Sequence, residues 1–311
     1  MAQIWTMGEM IVEIMRTAVD APLDQAGDFR GPFPSGAPAI FIDTAARLGQ
    51  HAGIIGGVGR DDFGSCMLGR LRADGVDCSH VMQSCDAATG CAFVTYFSDG
   101  ERKFLFHIDR TAAVQAKAPE AIDLSEETCF HIMGCSLMAN ADFGTEIVRA
   151  MHAFVKKGAW VSFDPNIRPE MLGNGSSRAL FDEVLRNTRV LLPGVSELLS
   201  ITGQSSVSDA VAQLFENSVL EIVAVKDGSR GSTIYTREKV YPIGIYPVQV
   251  LDATGAGDCF DATFLCMLLE GKGVCEAAQA ASAAAALNTA AFGPMEGRIT
   301  REKIRALIEK K

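Results

Sequence analysis

The stretch Leu251-Asp252-Ala253-Thr254-Gly255-Ala256-Gly257-Asp258-Cys259-Phe260 decides how the chain is read. An extended run over residues 245–251 leads into it, and a helical pattern over 259–269 follows. Gly255 and Gly257 permit a tight turn and leave backbone N–H groups unshielded where that helix starts. Those donors, with the positive end of the helix dipole, form a hole for an anion. Asp258 falls in the first helical turn, beside the place where a phosphoryl in transfer would lie. An ionised carboxylate there can take the proton of an attacking hydroxyl, and the helix N-terminus favours the ionised form. A lone Gly-x-Gly-Asp is equally a plain turn with an acidic helix start. Here the two glycines, Asp252 and the downstream helix occur together, which favours the anion hole.

Outward from that stretch, strand-like runs at 52–58, 129–133, 160–164, 190–192 and 221–226 alternate with helical patterns at 63–73, 143–157 and 197–202. The alternation predicts an α/β fold of parallel strands joined by crossover helices, with ligands at the strands' C-terminal ends. The alanine-rich 276–291 predicts a helix that admits a close neighbour. One section breaks the pattern. Residues 91–97 and 102–108 are strand-like runs joined by Ser98-Asp99-Gly100-Glu101, and Asp-Gly is a hairpin signal. Phe93, Phe97, Phe104 and Phe106 make this hairpin aromatic, and 10–34 is extended as well. The two pieces predict a small antiparallel sheet that cannot bury both faces alone, so it must cover a site or pair with another subunit. The expected organisation is one domain over 1–311, with lid segments near 10–34 and 90–110.

With 28 basic and 38 acidic residues the formal charge is −10, which argues against nucleic acid or an anionic membrane as the main partner. A phosphate ligand remains compatible, because a few backbone N–H groups suffice to bind one. Nine cysteines without C-x-x-C spacing predict reduced, buried thiols rather than a disulfide framework or a zinc site. Met1-Ala2-Gln3-Ile4-Trp5 lacks a basic region followed by an apolar stretch, and no run approaches a membrane span. A cytoplasmic enzyme is the expectation. The five histidines show no ligand spacing, and neither a G-x-S-x-G elbow nor a P-loop occurs.

Further segments carry polar groups toward strand ends. In Gly56-Gly57-Val58-Gly59-Arg60-Asp61-Asp62-Phe63-Gly64, Asp61 or Asp62 caps the following helix, and the last glycine of a dinucleotide fingerprint is missing. Phe163-Asp164-Pro165-Asn166-Ile167-Arg168 can reach the cleft, where Arg168 either binds a phosphate or acidic group or forms a structural ion pair. Pro193-Gly194-Val195-Ser196-Glu197 places a carboxylate at a helix start, and Mg²⁺, which keeps several waters, needs little more as an anchor.

In order along the chain, these motifs resemble the ribokinase-like (PfkB) carbohydrate kinases, from Gly8 through Gly293. The resemblance implies a ribokinase-like three-layer core with a mainly parallel central sheet and a small β-sheet lid. It implies ATP and Mg²⁺, admits a monovalent cation such as K⁺, and makes Asp258 the base with Gly255, Ala256 and Gly257 around the phosphoryl. Glu197 would organise magnesium through water. Lys226, Gly228, Gly231, Thr254, Gly257 and Asn288 would serve ATP, and Glu13, Gly36, Phe104, Arg168 and Asp258 the sugar. Ser35-Gly36-Ala37-Pro38-Ala39-Ile40 departs from the family's G-G-x-x-x-N, and Gly194 from the asparagine of N-x-x-E. The opening Gly8-Glu9-Met10-Ile11-Val12-Glu13 looks like the fructokinase and 2-keto-3-deoxygluconate kinase branches, with Glu13 where fructokinases commonly carry aspartate. The implied activity is phosphorylation of a sugar hydroxyl, with tagatose or fructose ahead of an acidic keto-sugar read by Arg168. A nucleoside kinase and a non-catalytic sugar sensor are the other readings. A homodimer through the lid is the implied assembly.

Overall fold

A computed structural model describes residues 3–125, 127–168 and 177–310; Met1 and Ala2 of the N-terminal reading lie outside them. The strands are β1 (Gln3–Met7), β2 (Ile11–Arg16), β3 (Phe29–Ser35), β4 (His51–Gly59), β5 (Asp77–Ser84), β6 (Gly90–Tyr96), β7 (Arg102–His107), β8 (Thr128–Met133), β9 (Trp160–Asp164), β10 (Thr188–Leu191), β11 (Ile222–Lys226), β12 (Ser232–Thr236) and β13 (Val240–Ile243). The helices are α1 (Ala37–Arg47), α2 (Asp62–Ala73), α3 (Gly134–Ala139), α4 (Ala141–Lys156), α5 (Ser177–Asn187), α6 (Val195–Thr202), α7 (Val207–Leu214), α8 (Ala256–Leu269), α9 (Val274–Thr289) and α10 (Arg301–Glu309).

The core is a nine-stranded sheet in the order β13-β12-β11-β10-β9-β8-β1-β4-β5. From β11 to β5 all neighbours pair parallel, while β12 and β13 add an antiparallel edge. Every residue of β8 is buried, as helices covering both faces of a parallel sheet require. Alanines at 277, 280, 281 and 284 of α9 are buried, consistent with the close neighbour that the alanine-rich pattern predicts. The parallel strands end together, so Met133, Asp164 and Lys226 arrive at one edge. Asp61, not Asp62, caps α2: its carboxylate accepts from the Gly64 and Thr89 N–H groups, each at 2.8 Å. Among the described residues no helix is long and apolar enough to cross a membrane. All nine cysteines are free; Cys129, Cys135, Cys259 and Cys266 are buried, but Cys85 is exposed.

Two expectations need correction. The small sheet runs β3-β2-β6-β7 and is mixed, because its central pair β2–β6 is parallel. Each hairpin is antiparallel internally, yet β2 follows β1 and β6 follows β5, and those core strands end at the same edge. The hairpins therefore leave the core in the same sense. Its outer face leaves Phe29 and Leu105 exposed, the surface that a lid-to-lid dimer would bury. Residues 245–251 form no strand: β12 and β13 already fill that edge, and Ile245, Val248 and Val250 line a cavity instead.

Gly134, the first residue of α3, lets the end of β8 pack against the segment that carries Asp164, Asn166 and Arg168. A Cβ there would lie 1.9 Å from the Pro165 carbonyl oxygen. Gly134→Ala is expected to cost about 1–3 kcal/mol through overpacking and to lower turnover by displacing 164–168. Urea unfolding checks it; unchanged stability and rate would mean that the segment moves aside freely.

Candidate active site

The ends of the parallel strands, the start of α8 and the inner face of the small sheet enclose a cleft of about 300 Å³. Asp258 sits at its floor, 5% exposed, in the first turn of α8. Asn166 donates through Nδ2 to Asp258 Oδ1 at 3.4 Å, with backbone φ of 38° that brings its amide back over Asp164. Burial first, then the Asp164 charge, pushes the Asp258 carboxyl up to about 7 against the opposing pull of Arg168 and Lys226. The helix N-terminus favours the ionised form, but burial and the Asp164 charge outweigh that preference here. A carboxyl poised near neutrality suits proton abstraction at working pH.

Gly255 shapes the turn ahead of Asp258. Its φ is 79°, and a Cβ there would lie 2.6 Å from the Pro294 carbonyl oxygen, so no other residue fits. Behind the turn Asp252 accepts from the Thr254 N–H (2.9 Å), the Thr254 hydroxyl (2.7 Å) and the Gly293 N–H (3.0 Å). The Ala256 N–H reaches Ala253 O only at 3.4 Å, a long bond that a phosphoryl oxygen can replace.

Lys226, at the end of β11, donates to Asp164 Oδ2 (2.9 Å) and to both oxygens of Asp261 (3.0 and 2.9 Å). Burial works against the Asp164 charge, but the Lys226 ammonium outweighs it and holds that carboxyl below its ordinary range. Burial pushes Asp261 far the other way, toward its protonated form. Glu197 accepts from the Ile167 N–H and the Gly194 N–H, each at 2.7 Å, and burial raises its carboxyl. Both of its oxygens are thus engaged by backbone donors. Among the described residues no group of three or more His, Cys, Asp or Glu could hold a metal, so a divalent ion would arrive with phosphates.

At the other end of the cleft, the Ser35 hydroxyl donates to Glu13 Oε1 at 2.6 Å, while Glu13 Oε2 is buried without a partner. Burial raises Glu13 to about 7. Glu9 accepts from Cys135 (3.1 Å) and Ser136, and burial raises it too. Gly36 and Phe104 line the same wall, with Phe104 stacked on Phe106 at 5.3 Å. Arg102 of β7 crosses over to donate to the Thr254 hydroxyl at 2.8 Å. Arg168, half-buried, keeps its charge because the field of the cleft's acids, Asp258, Glu197 and Asp164 among them, outweighs the cost of burial.

A second cavity of about 550 Å³ adjoins the first, walled by Tyr246, Val248, Val250, Phe260, Ala285 and Ala286. Lys226, Gly228, Gly231, Ala256 and Gly257 border it, so a flat apolar group can enter while its phosphates face the glycine turn. Of the residues that the sequence marks, Glu13, Gly36, Phe104, Arg168, Glu197, Thr254, Gly255 and Asp258 converge on the first cavity. Asn288 lines neither. It is fully buried and donates to Thr254 O at 2.8 Å, a brace for the turn rather than a nucleotide contact. The sequence reading missed Asp261 and Arg102, and gave Glu9 no role. Asp261 had a signal, an acid inside the apolar run Cys259-Phe260-Asp261-Ala262; Arg102 had none.

The family description "pfkB family carbohydrate kinase" matches residues 1–301. The chain belongs to that family. Fructokinase-1 of Zea mays is 30% identical over 315 residues, covering 98% of this kinase and 97% of the relative. An E. coli protein described as a ribokinase II, solved with ATP and Mg²⁺, is 38% identical, with a TM-score of 0.91 and full coverage of both chains. A fructokinase from Vibrio cholerae O395, solved with fructose, ADP and potassium, shares the fold at 24% identity and a TM-score of 0.87, covering 99% of this chain and 98% of its own. The protein is an ATP-dependent carbohydrate kinase of ribokinase-like fold.

A kinase whose base titrates as Asp258 does should gain turnover as pH rises through about 7, where the carboxylate forms. Asp258→Asn should lower kcat by roughly 10²–10⁴ and abolish that limb. A limb unchanged in the variant would place the base elsewhere.

Proposed function

We propose that the acceptor is fructose and that Asp258 deprotonates its attacking hydroxyl. The observation that carries this is the position of Asp258 on the floor of the first cavity, held by Asn166 and next to Gly257, which lines both cavities. ATP would place its base in the apolar cavity and its phosphates on the N–H groups of Ala256 and Gly257. Glu197, through a water, would help to hold Mg²⁺, which would supply charge neutralisation when bound. Asp258 accepts the hydroxyl proton, Arg168 offsets charge beside it, and the small sheet excludes water that would otherwise compete as acceptor.

The sugar end favours a neutral polyol over an acidic keto-sugar. Glu9 and Glu13 are buried there, and burial raises both. Arg102 is engaged with Thr254. An acceptor carboxylate would therefore be placed beside two buried acids, whereas hydroxyls can satisfy Glu13 Oε2. The fructokinase relatives support the same acceptor. The nine free thiols suit a cytoplasmic setting.

The test is ADP release in Mg²⁺ and K⁺ with fructose, tagatose, 2-keto-3-deoxygluconate and a nucleoside. Fructose should give the highest kcat/KM, and Glu13→Gln should raise the fructose KM by about 10–100-fold while leaving ATP binding intact. Preference for the keto-deoxy acid, or an unaltered KM in the variant, would contradict the assignment.

A further inference from the structure

Among the described residues, Lys226, Gly228, Ala253 and Gly257 line both cavities, and only Lys226 of these carries charge. Its Nζ lies 3.7 Å from where a Cβ on Gly257 would be, so the ammonium stands against the glycine turn. Asp164 and Asp261 hold it from the protein side at 2.9–3.0 Å. Asp261 is fully buried on α8, one turn beyond Asp258, and so shares its face of the helix. An ammonium has three N–H donors; where the two Asp261 oxygens share one and Asp164 takes a second, the third is left for the cavities. Buried ionic clusters of this kind add little stability over well-packed apolar residues, so the fold alone gives no reason to keep an acid inside an apolar helix. Charged groups gathered at a cleft are instead what phosphoryl transfer needs.

We propose that Lys226 is a catalytic residue whose ammonium contacts the phosphoryl group in transfer, and that Asp261 is a positioning residue that aims it. This rests on the reading of the cleft as a phosphoryl-transfer site, and goes beyond a general role in ATP binding by fixing the contact on the γ-phosphoryl. In the step, the bond from the sugar oxygen to phosphorus forms and the bond from phosphorus to the β,γ-bridging oxygen breaks. The electron pair leaves with ADP and the hydroxyl proton goes to Asp258. Lys226 neither gains nor loses a proton; it offsets charge on the equatorial oxygens.

Calorimetric binding of ADP and of a nonhydrolysable ATP analogue with Mg²⁺, beside kcat with fructose, tests this in Lys226→Met and Asp261→Asn. Lys226→Met should lower kcat by about 10²–10³ and weaken the analogue by about tenfold more than ADP, which lacks the γ-phosphoryl. Asp261→Asn should lower kcat by about tenfold with ADP affinity unchanged. Equal weakening of ADP and analogue, or an unchanged kcat in either variant, would overturn the proposal. Should Lys226→Met fail to fold, the near-isosteric Asp261→Asn decides on kcat alone. If the wild type binds nucleotide but phosphorylates no sugar, the acceptor reading has failed, and the ratio of analogue to ADP affinity still judges Lys226.

Discussion

The left-handed turn at Gly255 is the constraint around which the site is assembled. It must turn sharply enough to start α8 with its N–H groups and Asp258 facing the same opening, and only glycine survives beside the Pro294 carbonyl. Three braces hold it: Asp252 ties Thr254 to Gly293, Asn288 fixes the Thr254 carbonyl, and Arg102 reaches down from the small sheet to the Thr254 hydroxyl. Loop, helix and covering sheet thus meet at one residue. A carboxylate, an anion hole and two cavities become adjacent because this turn and the ends of β9 and β11 share an edge of the sheet.

Electrostatics then sort the acids that the convergence crowds together. Asp164, beside the Lys226 ammonium, keeps its charge, whereas Asp258, Asp261 and Glu13 are raised by burial. After burial, the Asp164 charge helps to raise Asp258, so the proposed base titrates partly at the setting of a neighbour. Glu197 differs again, because two backbone N–H groups occupy it. Five neighbouring carboxyl groups with different partners are thus held in different states.

Much of this was legible in the sequence because glycine and aspartate carry their meaning locally. Asp252 through Asp258 imply the glycine turn and a helix that starts with an aspartate in its first turn, since backbone freedom and helix-start chemistry depend on nearest neighbours. The alternation of apolar runs likewise yields the parallel core. What stayed hidden depends on distant packing. The parallel pairing of β2 with β6 follows from where two core strands end, and the 245–251 run lines a cavity because β13 already closes the edge. Asn288 is polar and near the nucleotide helix, yet it turns inward to a carbonyl. Asp261 meets Lys226 only once α8 docks on the end of β11.

The central claim is a single direct transfer, with Asp258 taking a proton and never the phosphoryl itself. Steric course at phosphorus tests it most directly, using ATP made chiral at the γ-phosphorus with oxygen isotopes and sulfur and reading the configuration of the sugar product. One in-line displacement predicts inversion. Retention would require two displacements through a phosphorylated enzyme group, and would contradict the account of Asp258 as a base.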